Sequence, residues 1–76
     1  MNVLELAREL VELDERIAAA DERLSRQRRE VDRLAGTGAD TSAASVRAGD
    51  TTRALAAMRS RRRMILKKIN VPLWSR

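Results

Sequence analysis

The stretch "AGTGADTS", residues 35–42, decides the fold of this chain. It holds two of the three glycines, and it is followed by short side chains whose oxygens accept hydrogen bonds from the free N–H groups of a helix start. Gly36 suits the position just past a helix end that needs φ > 0, and Asp40, Thr41 or Ser42 can cap the helix that follows. A helix therefore ends here and another begins.

Working outward, the apolar spacing on the amino-terminal side is regular. Val3, Leu6, Leu10, Leu13, Ile17, Ala20, Leu24, Gln27, Val31 and Leu34 alternate by three and four, the a/d pattern of a coiled-coil seam. Only Gln27 among them is polar. It reads as a tolerated seam position, with a register-fixing polar contact as the alternative. On the carboxyl-terminal side the weaker seam is Ala44, Ala48, Thr51, Leu55, Met58, Arg62, Ile65 and Ile69, and Pro72 stands where a helix must stop. A turn of about five residues makes the two helices antiparallel neighbours. The expectation is an all-α, coiled-coil-like antiparallel two-helix hairpin forming a single domain, 1–76. Helix 1 covers about 2–35, the turn about 36–40, helix 2 about 41–70 and a tail 71–76. Dimerisation of this hairpin would give a four-helix bundle.

Composition narrows the chemistry. The chain has 76 residues, no Cys, no His, no Phe and no Tyr, and Trp74 is its one aromatic residue. So small a chain is seldom stable alone, and disulfides and Cys/His zinc sites cannot assist it. Self-association or a partner is the remaining form of help. The amino-terminal "MNVLELARELVEL" carries Glu5, Glu9 and Glu12 and no positive region, so it does not read as a secretory signal. No apolar run approaches the roughly 18 residues of a membrane span, and the lack of Cys fits a reducing, cytoplasmic setting.

Charge is split along the chain. Residues 1–22 carry a net −5 and residues 53–76 a net +8, within a total of +5. Folding the hairpin about residue 38 lays the acidic start of helix 1 against the basic end of helix 2. Glu9 falls opposite Lys68, Glu30 opposite Arg47, and Arg59 between Asp14 and Asp21. Arg16 falls opposite Arg61, which must then turn elsewhere, and Arg62 in the seam must snorkel or meet a carboxylate such as Glu12 or Glu15. Glu12–Arg16 and Glu22–Arg26 are spaced for pairs within helix 1. Arg29, Arg33, Arg53, Arg61, Arg63 and Lys67 remain as candidate phosphate contacts.

Without His, Cys or Tyr the commonest general bases and the thiol nucleophile are missing, and "GTG" is a turn rather than a phosphate-binding loop; no enzyme activity, cofactor or metal is expected. The run "LVELDERIAAADERLSRQR" (10–28) resembles the first helix of all-helical chorismate mutases. Asp14 stands where that pattern has an Arg, however, and the third helix is lacking, so mutase activity is not implied. A dimeric basic hairpin could bind structured RNA by shape, as Rop-like proteins do, but no aromatics interleave with the basic residues for base stacking. The segment "RRRMILKKINVPLW" could lie on a membrane surface, yet Ile65 and Ile69 are claimed by the seam.

Protein–protein assembly fits best. Leu4, Val11 and Ala18 form a second apolar stripe on helix 1, and Ala57, Met64 and Val71 form one on helix 2. The expected interface residues are Leu4, Val11, Met64, Leu66 and Trp74, with fraying towards the small and polar residues 36–50. Finally, "RQRREVDRL" followed by "GADTSAA" and a second amphipathic helix resembles small uncharacterised helical-hairpin proteins of rhizobia and related alphaproteobacteria, over about residues 26–65. That resemblance implies a hairpin fold and carries no activity to transfer.

Overall fold

In a computed structural model, residues 2–70 are described. They form two α-helices, α1 (Val3–Gly36) and α2 (Ser42–Ile69), packed as an antiparallel hairpin. At 1.5 Å per residue the 34 residues of α1 make a rod about 50 Å long. Among the described residues no helix is long and apolar enough to cross a membrane.

Each helix end is closed by a local device. Asn2 caps α1, its Oδ1 accepting from the Glu5 N–H at 2.8 Å. At the other end Thr37 is the cap and Gly38, at φ 75°, is the left-handed residue. The Ala39 N–H donates to the Leu34 carbonyl at 3.0 Å and the Gly38 N–H to the Ala35 carbonyl at 3.1 Å, the paired bonds of a Schellman motif. The left-handed position therefore belongs to Gly38 rather than Gly36, which completes α1. The physical reason is that Thr37 closes one more helical turn, its N–H bonding back to Arg33 and Leu34 and its hydroxyl donating to the Leu34 carbonyl at 2.9 Å. On the far side Asp40 Oδ1 accepts from both the N–H (2.9 Å) and the hydroxyl (2.7 Å) of Ser42, which lowers the Asp40 pKa below the ordinary aspartate value. These bonds carry regular helix right up to the turn on both sides, where fraying was expected.

The seam is the one the spacing predicts. Leu6, Leu13 and Ile65 are buried together, with Leu10, Met58 and Ile69 packed against them. Nearer the turn Ala20, Leu24 and Leu55 form a second cluster, joined by Ile17, Ala48 and Met58. Met58 belongs to both clusters and makes the core continuous. Ala44 and Thr51 complete the buried positions. Val3 alone leaves the seam; it is 57% exposed, one turn before Leu6 makes the first full contact. The tail 71–76, with Pro72 and Trp74, lies outside the described residues.

Candidate functional site

Among the described residues, three ion pairs cross between the helices. Arg61 grips Glu9 through Nε (2.5 Å) and Nη2 (2.8 Å), Arg59 Nη2 donates to both oxygens of Asp21 (2.8 and 3.0 Å), and Arg62 Nε donates to Asp14 (2.6 Å). The hydrogen bond from Arg61 holds the Glu9 pKa below the ordinary 4.5, with the Arg61 and Lys68 charges adding to the effect against partial burial. The same bond raises the pKa of Arg61. Glu30 is lowered in the same way by the Arg33 hydrogen bond, with Arg47 contributing its field, and Arg33 is raised.

Three expectations about partners are corrected, one being Glu30, which bonds Arg33 of its own helix while Arg47 acts on it only through its charge. Lys68 faces Glu9, but the hydrogen-bonding partner is Arg61, whose longer side chain reaches back along the axis and away from Arg16. Arg62 takes Asp14 rather than Glu12 or Glu15. Successive helical residues turn about 100°, so Asp14 stands beside the seam residue Ile17, whereas Glu12 and Glu15 point away from it. Glu22–Arg26 forms as expected at 2.9 Å, and among the described residues no Glu12–Arg16 salt bridge is made.

The six candidate phosphate contacts do not gather into one patch. Arg33 is held bidentately by Glu30 and Arg61 by Glu9, and Arg53 pairs with Asp50. Arg29, Arg63 and Lys67 form no salt bridge among the described residues. Arg63 lies level with Ile17, so Arg29 is about 18 Å further along the rod, on the other helix. Arg23 and Arg28, outside that set of six, are equally without a salt bridge among the described residues.

Of the candidate interface residues Leu4, Val11 and Met64 are exposed, and the described members of the set divide between two faces. Leu4 is 61%, Val11 58% and Met64 49% exposed, and Leu66 is half-buried. Val11 stands about 60° from Asp14 around α1 but about 160° from Glu9. Leu4, seven residues earlier, shares its flank, as does Ala18. On α2, Leu66 shares the flank of Arg59, the partner of Asp21. Met64 stands about 60° from Arg61 and about 140° from Arg59, so it lies on the opposite side of the hairpin. Leu4, Val11, Ala18 and Leu66 thus share what can be termed the aspartate face, and Met64 with Ala57 lies on the Glu9 face. Trp74 is outside the described residues.

An open cleft of about 420 Å³ on the aspartate face is lined by Asp14, Ile17, Arg59, Arg62 and Arg63. Asp14 and Asp21 neutralise Arg62 and Arg59, leaving Arg63 as the one cleft guanidinium without a salt bridge among the described residues. Among the described residues no cluster of His, Cys, Asp or Glu is placed to hold a metal ion. Comparison with protein-family models, curated proteins and solved structures finds no match to this chain.

Proposed function

We propose that this chain is a non-enzymatic helical-hairpin assembly module that buries the apolar surface of its terminal half against another helical surface, a second copy being the simplest case. The observation that carries this reading is the exposure of Leu4, Val11 and Met64 on a hairpin whose own seam is already filled by other residues. Covering three or four such side chains contributes several kcal/mol at about 25 cal/mol per Å². That is comparable with the entire stability of a domain this small. Kinship with the rhizobial hairpin proteins, and placement in the cytoplasm, belong to the same proposal and are consistent with it.

The test is association. Sedimentation equilibrium of the parent and of the double variant Val11→Asp, Met64→Asp should show a self-associating parent and a variant that no longer associates, while seam packing survives. A double variant that sediments and melts like the parent would place the interface elsewhere. The second reading, a small basic nucleic-acid-binding protein of the Rop-like kind, is favoured by the net charge of +5 and by Arg29, Arg63 and Lys67. Nanomolar binding to mixed DNA or RNA that weakens steeply with salt would reverse the order of the two readings.

A further inference from the structure

We infer that the occupant of the aspartate face is a second copy of this chain, docked about a two-fold axis parallel to the helices, so that both turns lie at the same end of a four-helix bundle. This rests on the assembly reading and adds to it a face, a partner and an orientation.

Three observations select that arrangement. First, the apolar content of the aspartate face is confined to its terminal half. Leu4, Val11 and Ala18 line α1 there, with Leu66 and Ala56 on the same flank of α2, whereas the continuation of the α1 stripe towards the turn is Ser25, Arg28 and Asp32. With the turns at opposite ends and the two rods fully overlapped, Leu4 and Val11 of one copy would lie on those polar residues. With the turns at the same end they lie on the Ala56–Leu66 flank of the other copy's α2.

Second, charge distinguishes the helices that would meet. The axis parallel to the helices sets α1, whose first part carries net −5, on the strongly basic part of the other copy's α2. A perpendicular axis sets α1 on α1 and α2 on α2, acid against acid and base against base wherever the apolar halves overlap.

Third, two exposed charges left without a salt bridge among the described residues fall at matching levels. Arg63 borders the cleft of the aspartate face, and Glu15 stands on the outer edge of α1 at the height of the Arg62–Ile65 turn. Across the two-fold, Glu15 of one copy meets Arg63 of the other, twice per dimer. The Glu9 face offers no equivalent. Its α1 side carries Glu5, Glu9 and Glu12, and its large exposed apolar side chains on α2, Met64 and Val46, stand 18 residues (about 27 Å) apart rather than as one patch.

Because the chain has no cysteine, one can be introduced cleanly. Ala39→Cys, exposed in the turn, carries a spin label for pulsed dipolar distance measurement, in parallel with sedimentation equilibrium on the full chain. The expected result is a dimer whose label separation is set by the 18 × 15 Å cross-section of the hairpin rather than by its length. A dimer with labels separated by the length of the rod would overturn the orientation and leave the assembly reading standing. A monomer at every concentration, with no dipolar signal, would overturn both. Two further arms locate the face. Val11→Asp should abolish dimerisation and Met64→Asp should leave it intact; the reverse pattern would move the interface to the Glu9 face. Glu15→Arg and Arg63→Glu should each raise the dimer dissociation constant roughly three- to tenfold, and combining them should restore it. Failure of the combined variant to recover would refute the cross-copy pair.

Discussion

Gln27→Leu should make this protein more stable, and the size of the gain follows from one atom. Gln27 occupies a seam position of α1 level with Thr51 of α2. Its Oε1 is buried and accepts no hydrogen bond among the described residues. The Thr51 hydroxyl at that level is already committed, since its Oγ1 donates to the Arg47 carbonyl of its own helix at 3.2 Å. An unmet buried acceptor costs about 1–3 kcal/mol, and replacing it with an apolar group of similar length removes that cost. Leu also extends the adjoining cluster of Ala20, Leu24 and Leu55 by one layer. Because Gln27 itself is only half-buried, a gain of about 1–2 kcal/mol is expected, towards the lower end of the range for an unmet acceptor. For a chain of this size each kcal/mol moves the melting temperature by about 4–8 °C. Thermal melts followed by circular dichroism, with urea titrations at fixed protein concentration, measure it directly. A Gln27→Leu variant no more stable than the parent would mean that Gln27 holds a bond in solution, and the polar layer would then be a register device rather than a tolerated defect.

Three other expectations concern charge and backbone. Molar salt should lower the melting temperature modestly, because Glu9–Arg61, Asp14–Arg62 and Asp21–Arg59 are partly exposed and screened; unchanged melting would show that these pairs do not hold the register. Glu9 and Glu30 have folded-state pKa values below their ordinary 4.5, so the unfolded chain binds protons more readily than the folded one. The stability they contribute is complete above about pH 4.5 and is lost as pH falls through the folded values. Glu9→Gln should flatten that acid limb, and an identical limb would assign it to other carboxylates. Of the glycines, Gly49→Ala should stabilise by about 1 kcal/mol, its new Cβ meeting only the Arg53 guanidinium at 3.7 Å, while Gly38→Ala should destabilise because Gly38 holds φ at 75°. Equal effects from the two changes would contradict the placement of the left-handed residue.

The seam was legible because it depends on period alone. Once "AGTGADTS" is read as a turn, a three-four alternation on each side leaves one way to bury Leu13, Leu24, Leu55 and Ile65, and those four are buried. Capping was legible in kind and not in detail. Gly36 and Gly38 both satisfy the sequence requirement for a left-handed residue, and what separates them is whether Thr37 closes another helical turn, a competition of a few hydrogen bonds. Asn2 as the cap of α1 follows from the same reasoning, since it stands three residues before the Glu5 N–H that it accepts from, immediately ahead of the first seam residue Val3.

Charge partners resist sequence reading for a different reason. A seam residue meets whatever stands level with it, but an arginine side chain spans more than a helical turn and selects among several carboxylates. Arg61 therefore crosses to Glu9, past the level at which Arg16 would repel it, and leaves Lys68 to act on Glu9 through its field. The same limit explains why the apolar surface reads correctly as a composition and incompletely as a face. Val11 and Met64 are equally apolar and equally outside the seam, so nothing in the order of residues separates them. Their flanks become known only when Asp14 and Asp21 are seen to take Arg62 and Arg59 while Glu9 takes Arg61. Each ion pair labels one side of the hairpin, and the labels place Val11 with Leu4 and Leu66 and set Met64 against them. A partner that covered Leu4 and Val11 would therefore leave Met64 in water, so the response of association to aspartate at each position reports which side of the rod is occupied.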